Sequence, residues 1–273
     1  MITRILRGHR KMALLAAISA AFLTPVMFAG AQTITPQLGD LILGFHATGG
    51  VGQALNLEVD LGSISNLYNA APNSVIPLPE LSLQDISDTY GASWSTRTDL
   101  FWGAVATTGR GSGTPDGHAP LATLWATDPT GQAAWNRGST NAQKTASATI
   151  ETVFVPGANG SLYGATATSN SSAAASIAAA LPGSWSSGDL KIGGTSFGYF
   201  NPTIDGAVTN GTSVLGLYEL QPGGNPGTNP GTDLGQLVLS PSGLSFVAVP
   251  EASTGILVAL GIGTTLLLRR RRD

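Results

Sequence analysis

The sequence lacks cysteine altogether and has little charge. Because none of its 273 residues is a cysteine, disulfide scaffolds, zinc–thiolate sites, iron–sulfur clusters and thiol catalysis are excluded. Charged residues make up 11% of the chain, against roughly 25% in an ordinary soluble domain. Uncharged polar residues must therefore carry much of its solubility, which is unusual for a cytosolic enzyme.

Positive charge is scarce in the middle of the chain. Residues 32–268 hold five basic residues against 15 acidic ones, and the remaining basic residues lie at the two ends. An acidic surface repels phosphate backbones, so this pattern excludes nucleic acid as a partner. The length is sufficient for one sizeable domain with a buried core.

The first 31 residues have the pattern of a secretory signal peptide. Four basic residues precede an apolar stretch from Met12 to Phe28, and Ala29 and Ala31 place small residues three and one positions before Gln32. Signal peptidase recognises this arrangement. We expect export by the Sec machinery and cleavage after Ala31, with an uncleaved N-terminal anchor as the alternative.

The other end of the chain has the pattern of a membrane-spanning helix. Residues 252–268 are uncharged and are followed by Arg269, Arg270, Arg271 and Arg272. A helix of this length reaches about 25 Å, at the short limit for a hydrocarbon core of ~30 Å. The arginines favour a cytoplasmic C-terminus with the body outside the cytoplasm. The alternative is the buried C-terminal helix of a soluble protein.

The residues at the start of this helix resemble a known sorting signal. They are Val249, Pro250, Glu251, Ala252, Ser253 and Thr254. With the apolar segment, the arginine cluster and the N-terminal signal, they resemble the PEP-CTERM sorting tail of Gram-negative bacteria, whose usual motif has proline where this chain has Ala252. The resemblance implies that the chain is the substrate of an exosortase, a membrane-embedded cysteine transpeptidase that cuts near the motif.

The resemblance has two further implications. Bacteria with such tails produce exopolysaccharide and biofilm matrix, which makes exopolysaccharide a candidate partner. Parts of the body, 40–45, 59–62, 94–97 and 100–103, also resemble a recurring extracellular region of PEP-CTERM proteins that has no assigned activity. These implications name a family and a destination, and they leave the activity of the body open.

The body shows short alternating apolar runs separated by glycine-rich turns. The pattern predicts strands over 41–45, 55–61, 99–107, 121–127, 149–155, 197–200 and 213–220, and a final hairpin of 235–240 with 244–248. Short helices are predicted after the N-cap Ser82, ending at Gly91, and over 172–181. We expect a mainly β, β-sandwich-like extracellular domain over 32–221, a Gly/Pro/Asn loop over 222–232 and the final hairpin over 233–248.

The ionisable residues show no catalytic pattern, and we predict neither a metal site nor a cofactor. His46 and His118 remain after export, with no zinc-hydrolase motif and no nucleophile elbow. The paired carboxylates Glu58 with Asp60 and Asp85 with Asp88 are interpreted as the solvated faces of a strand and a helix. Arg97 and Asp99 are expected to form a stabilising ion pair.

The tryptophans are the remaining candidates for ligand contact. Trp102 and Trp125 lie in apolar strands and are predicted to be core residues. Trp135 and Trp185 lie in polar segments, which makes them the candidate surface residues for stacking on sugars. We expect a non-enzymatic surface or matrix protein, anchored in the inner membrane and then transferred to the outer surface or the medium. A secreted carbohydrate-active hydrolase and a carbohydrate-binding adhesin remain open as alternatives.

Overall fold

One antiparallel sheet organises the fold. The computed structural model describes residues 32–111, 119–129, 135–154, 162–189, 195–201, 203–208, 211–223 and 229–249. The strands within these ranges are β1 (Asp40–Ala47), β2 (Leu55–Ser63), β3 (Val75–Pro77), β4 (Leu100–Thr107), β5 (Leu124–Pro129), β6 (Ala174–Ala178), β7 (Gly206–Ala207), β8 (Ser213–Leu220), β9 (Thr232–Ser240) and β10 (Gly243–Ala248). Their order is β3-β10-β9-β8-β5-β4-β1-β2-β6, and β7 pairs with β4.

This architecture confirms the mainly β prediction with few helices. The described strands form a single curled sheet, whereas a sandwich would have two separate sheets. Predicted strands near 41–45, 55–61, 99–107 and 213–220 and the final hairpin are confirmed. β9 begins at Thr232, earlier than predicted, and β5 begins at Leu124, later than predicted, because Ala122 has a positive φ of 61°.

Four short helices lie in the described part of the chain: α1 (Ser65–Tyr68), α2 (Leu83–Tyr90), α3 (Thr140–Phe154) and α4 (Trp185–Asp189). α2 is the helix predicted from its caps. The Ser82 hydroxyl accepts a hydrogen bond from the Gln84 amide at 3.2 Å, and Gly91 ends the helix at φ 91°. Tyr90, the last residue of α2, donates to the Phe45 carbonyl at 2.7 Å and so ties the helix to the sheet.

Three predicted elements are wrong. Residues 174–178 form β6, not a helix, because pairing with β2 and burial of Ala174 and Ala175 outweigh the helix propensity of alanine. Residues 149–154 belong to α3, not a strand; Ala146 and Ile150 lie four residues apart and are both buried. The predicted strand 197–200 is a turn closed by a bridge between Ser196 and Phe200.

Strand alternation gives the sheet two apolar faces. On β1 and β2, Leu41, Leu43 and Phe45 lie on the same face as Leu57 and Val59, in a core that includes residues of α1 and α2. The opposite face packs against α3 and α4. Trp102 and Trp125 are 0% and 1% exposed in the first core, which confirms their prediction as core residues.

The chain regions that carry the transport predictions lie outside the described residues. These regions are the signal peptide over 1–31, the sorting motif from Pro250 onward, the apolar segment 252–268 and the arginine cluster. Within the described residues, no helix has both the length and the apolar character needed to cross a bilayer.

Candidate functional site

A group of buried polar residues lies on the sheet face that α4 covers. We call His46, Glu58, Trp185 and Asp205 the polar centre. Their exposed fractions are 3%, 0%, 0% and 8%. Charged and imidazole side chains are rarely buried to this degree unless they are paired, so the contacts of the polar centre decide what it can do.

Two glycines form the floor of the polar centre. Gly44 of β1 and Gly103 of β4 are directly paired in the sheet. A Cβ atom at Gly44 would overlap the indole ring of Trp185, and one at Gly103 would overlap the carboxylate of Asp205. Because Gly44 and Gly103 have no side chains, the Trp185 indole and the Asp205 carboxylate can pack directly on the backbone of the sheet.

The carboxylates hold the other groups together. Oδ2 of Asp205 lies 2.8 Å from Nε2 of His46 and accepts a hydrogen bond from Nε1 of Trp185 at 3.0 Å. Oε1 of Glu58 accepts a hydrogen bond from the backbone amide of Trp185 at 2.7 Å. The imidazole of His46 stacks on Phe101 with a centroid separation of 5.5 Å. Trp185 is thus bonded at its backbone and at its ring to two different carboxylates.

The burial of the polar centre limits its chemistry. A histidine beside a carboxylate is the arrangement that orients a general base. Here all four side chains are more than nine-tenths buried, so in this arrangement they are closed to a substrate. In this structure the polar centre fastens α4 and the segment containing Asp205 to the sheet.

Trp135 and Trp185, the candidate surface residues for stacking on sugars, are both buried. Trp135 is 6% exposed, its Nε1 donates to the Thr127 carbonyl at 2.7 Å, and its ring packs edge-on against Phe200. Trp185 packs in the same way against Phe197. Both indoles are buried despite their polar sequence neighbours, so neither offers an open face to a sugar.

Glu58 and Asp60, the first predicted carboxylate pair, differ in their exposure to solvent. Glu58 belongs to the polar centre, so its assignment to a solvated face is wrong. The side chain of Asp60 is half-buried, and its pKa is raised to about 6, chiefly by desolvation. The negative charges of Asp40 and Glu80 raise the pKa further, whereas the hydrogen bond from the Gly62 amide lowers it.

The pair on α2 is only partly solvated. Asp88 is exposed, as predicted, but Asp85 is 2% exposed. The amide of Asn170 donates to both carboxylates at 3.0 Å. Within the described residues, no group of three or more acidic or histidine side chains is arranged to hold a metal ion. His118, the other candidate histidine, lies outside those residues.

The ion pair between Arg97 and Asp99 is confirmed at 2.8 Å. Arg97 also donates to the carbonyls of Gly49, Val51 and Tyr90 at 2.6 to 2.8 Å. The guanidinium thereby joins the β1–β2 turn to the end of α2, and it lowers the pKa of Asp99. The ion pair and these three hydrogen bonds therefore stabilise the contact between the β1–β2 turn and α2.

Both ends of the described fold are tied to it by backbone hydrogen bonds. The Gln32 carbonyl accepts from the Ala167 amide at 2.8 Å. At the other end, the amide of Ala248 donates to the Ser74 carbonyl at 3.0 Å, and that of Val249 donates to the Leu234 carbonyl at 3.2 Å. Both bonded residues, Gln32 and Val249, thus belong to the folded body.

Comparison with known proteins gives no match to a protein-family model, to a curated protein or to a solved structure. The resemblance of residues 249–272 to a PEP-CTERM tail therefore stays a prediction from the sequence.

Proposed function

We propose that this chain is an exported, non-enzymatic cell-surface or matrix protein, sorted through its C-terminal tail by an exosortase. In this proposal the curled sheet is the extracellular domain, flanked by a cleaved signal peptide and a membrane-spanning helix over 252–268. The domain is first held at the inner membrane and is then moved to the outer surface or the medium. The observation that carries the proposal is that all ten described strands lie between the two predicted processing points.

The N-terminal junction fits cleavage after Ala31. Gln32 would be the first residue of the mature chain, and its carbonyl already accepts a hydrogen bond from Ala167. Thr33 forms a bridge with Thr166, and Ile34 is 3% exposed. All ten described strands lie after the predicted cut, so cleavage after Ala31 would leave each of them uncut.

The C-terminal junction fits processing at the sorting motif. β10 ends at Ala248, and Val249 makes a backbone hydrogen bond to Leu234. Pro250 follows at once; its ring fixes φ, lacks an N–H donor and holds Val249 in an extended conformation. A transpeptidase binds an extended peptide, and cleavage beyond Pro250 would leave all ten described strands intact.

The polar centre supports a non-enzymatic role for the body. Its histidine and carboxylates resemble catalytic groups in type, but their hydrogen bonds hold Trp185 and the segment around Asp205 on the sheet. The structural role accounts for the burial of each of these charged or polar side chains.

Mass spectrometry of the protein from its native host tests the proposal. We expect an N-terminus at Gln32 and a C-terminus near the 249–254 motif in the secreted or surface fraction. A wild-type chain that retains Asp273 in a host with an active exosortase would overturn sortase processing. A chain that retains Met1 in the cytoplasm would overturn export.

Variants of the motif separate processing from folding. Glu251→Ala should leave the chain uncut and in the membrane fraction, whereas Ala252→Pro, which restores the usual motif, should increase the cut fraction. Ser242→Ala, at an exposed position in the β9–β10 turn, is the control and should be processed as the wild type is. Equal processing of all four chains would contradict recognition of the motif.

A further inference from the structure

A groove of about 370 Å³ opens where the last strand leaves the sheet. Its polar lining consists of Asn73, Asp233 and Gln236, and Val247 and Val249 line it with apolar surface. The volume is within the range of about 300–1,000 Å³ that small-ligand sites occupy. None of its lining residues belongs to the polar centre, and Val249 is the one lining residue shared with the sorting motif.

The groove owes its shape to a glycine in β9. Gly235 has φ 143°, and a Cβ atom there would overlap the Val247 carbonyl. The β8–β9 register shifts next to it, between Leu217 and Tyr218. The Gly235 amide donates to Oδ1 of Asp233 at 2.9 Å, which orients that carboxylate at the groove. The site is therefore built by the backbone.

Asn73 is also held in a defined conformation. Its φ is 60°, a left-handed value that asparagine tolerates better than most residues. The turn that contains it is closed by a bond from the Ser74 amide to the Ala71 carbonyl, and the Ser74 carbonyl accepts from Ala248 at the end of β10. The backbone at Asn73 is thus held in place before any ligand binds, and the residue lines the groove together with Val247 and Val249.

The chemistry of the lining selects the class of ligand. Two amides and a carboxylate offer both donors and acceptors, which suits neighbouring hydroxyl groups. Among the described residues that line the groove none is basic, so the one charged group that they offer an anionic ligand is Asp233. A calcium ion needs six to eight oxygen ligands and is poorly served by one carboxylate. We propose that this groove binds one neutral saccharide unit, with its hydroxyls on Asn73, Asp233 and Gln236.

The groove lies close in sequence to the predicted membrane span. Only residues 250 and 251 separate its lining residue Val249 from that span, a distance of about 10 Å at most. This nearness to the membrane rests on the proposed function, whereas the binding chemistry of the groove does not. The same sugar chemistry is offered by a free polysaccharide and by the headgroup of a neutral glycolipid. The experiment therefore includes both sources.

Ligand-observed NMR on the full-length chain, in a detergent without a sugar headgroup, tests the proposal. The probes are glucose, galactose, mannose, N-acetylglucosamine and maltose, with EDTA present. We expect at least one probe to bind, and Asn73→Gly and Gln236→Ala to weaken it at least tenfold. Gln84→Ala, an exposed glutamine on α2, is the matched control and should bind as the wild type does. Val247→Phe should fill the groove and abolish binding.

Three outcomes would overturn the proposal. The first is no binding of any probe to the wild type, and the second is equal binding to the wild type and Val247→Phe when thermal unfolding shows both to be folded. The third is that the protein binds calcium in a titration without EDTA and without sugar, and that Asp233→Asn abolishes this binding, which would identify a cation site.

A comparison of lipid vesicles identifies the source of the sugar. Tighter binding to phosphatidylcholine vesicles with glucosyl-diacylglycerol than to plain vesicles would support the glycolipid source; binding of soluble sugars alone would support the polysaccharide. Because the chain used is unprocessed, failure here is separate from failure of sorting.

Discussion

The indole of Trp185 occupies the space in which a side chain at position 44 would lie. Gly44 is paired with Gly103, so that two adjacent strands present bare backbone at one spot on the sheet. The ring that fills this spot is bonded to Asp205, and its backbone is bonded to Glu58. The packing of α4 therefore depends on a residue type in β1 and not only on the tryptophan itself.

Gly44→Ala should destabilise the fold because its methyl group would displace Trp185. We expect a loss of about 1–3 kcal/mol in the free energy of unfolding, the usual cost of overpacking a filled site. Chemical denaturation followed by circular dichroism measures it. Gly111→Ala is the control, because a Cβ atom there meets open space. Equal stability of the two variants would contradict the packing of Trp185 on Gly44.

Trp185→Phe should cost more than Trp125→Phe. Both indoles are almost fully buried, but Nε1 of Trp185 donates to Asp205, whereas Nε1 of Trp125 has no hydrogen-bond partner among the described residues. Loss of a bond to a charged acceptor costs about 1.5–3 kcal/mol. Since both variants lose the same ring volume, the difference in their unfolding free energies measures the bond. A difference near zero would mean that the bond contributes little.

Arg97→Lys should loosen the β1–β2 turn. Lysine cannot reproduce the planar set of donors that reaches the Gly49, Val51 and Tyr90 carbonyls. We expect the amide of Gln53, which donates to Gly50 in this turn, to exchange about tenfold faster by hydrogen-exchange NMR.

The control for the Arg97→Lys variant is Arg110→Lys. Arg110 is largely exposed and lies 3.9 Å from Glu151, so its replacement should leave turn exchange unchanged. Unchanged exchange in Arg97→Lys as well would show that the guanidinium does not hold the turn.

Asp60 should make the fold less stable as the pH rises from about 4 to about 6. Its pKa is raised to about 6 in the folded state by desolvation, then by Asp40 and Glu80, while an unfolded aspartate titrates near about 3.9. The folded state therefore binds the proton more tightly, and this stabilisation is present below pH 4 and lost by pH 6. The difference corresponds to at most about 3 kcal/mol.

Asp60→Asn tests this dependence because it keeps the acceptor for the Gly62 amide and removes the charge. The variant should be more stable than the wild type above pH 6, with a flatter stability profile between pH 4 and 6. Ser242→Ala, which removes no ionisable group from an exposed position in the β9–β10 turn, is the control and should keep the wild-type profile. Parallel profiles for all three proteins would contradict a raised pKa at Asp60.

Local sequence patterns predicted the elements that local physics controls. Alternation along β2 indicated that Leu57 and Val59 share one face, and Ser82 and Gly91 marked both ends of α2. The alanine-rich segment 174–178 has a strong intrinsic preference for helix, and its strand form depends on β2, which is far away in the sequence. Propensity alone could not reveal that pairing.

The polar centre could not be predicted for a related reason. It requires Gly44 to lie beside Gly103, and that register depends on how β1 and β4 pair. Until the register is known, Glu58 looks like any charged residue on the outer face of a strand, and Trp185 looks like a tryptophan in a polar loop. The two glycines in otherwise apolar strands were the available signal, since glycine within a strand often marks a close approach.

The pairing of β10 with β3 has a consequence for the order in which the molecule assembles. Phe246, near the end of the fold, lies opposite Ile76, near its beginning. Polypeptides emerge amino-terminus first from the ribosome and from a translocation channel. β3 therefore cannot pair with β10 until nearly all of the folded body has emerged. The β3–β10 pairing can therefore form only after β10, the last strand before the C-terminal tail, has emerged. Refolding from denaturant should be slow because this pairing joins segments that are far apart in the sequence.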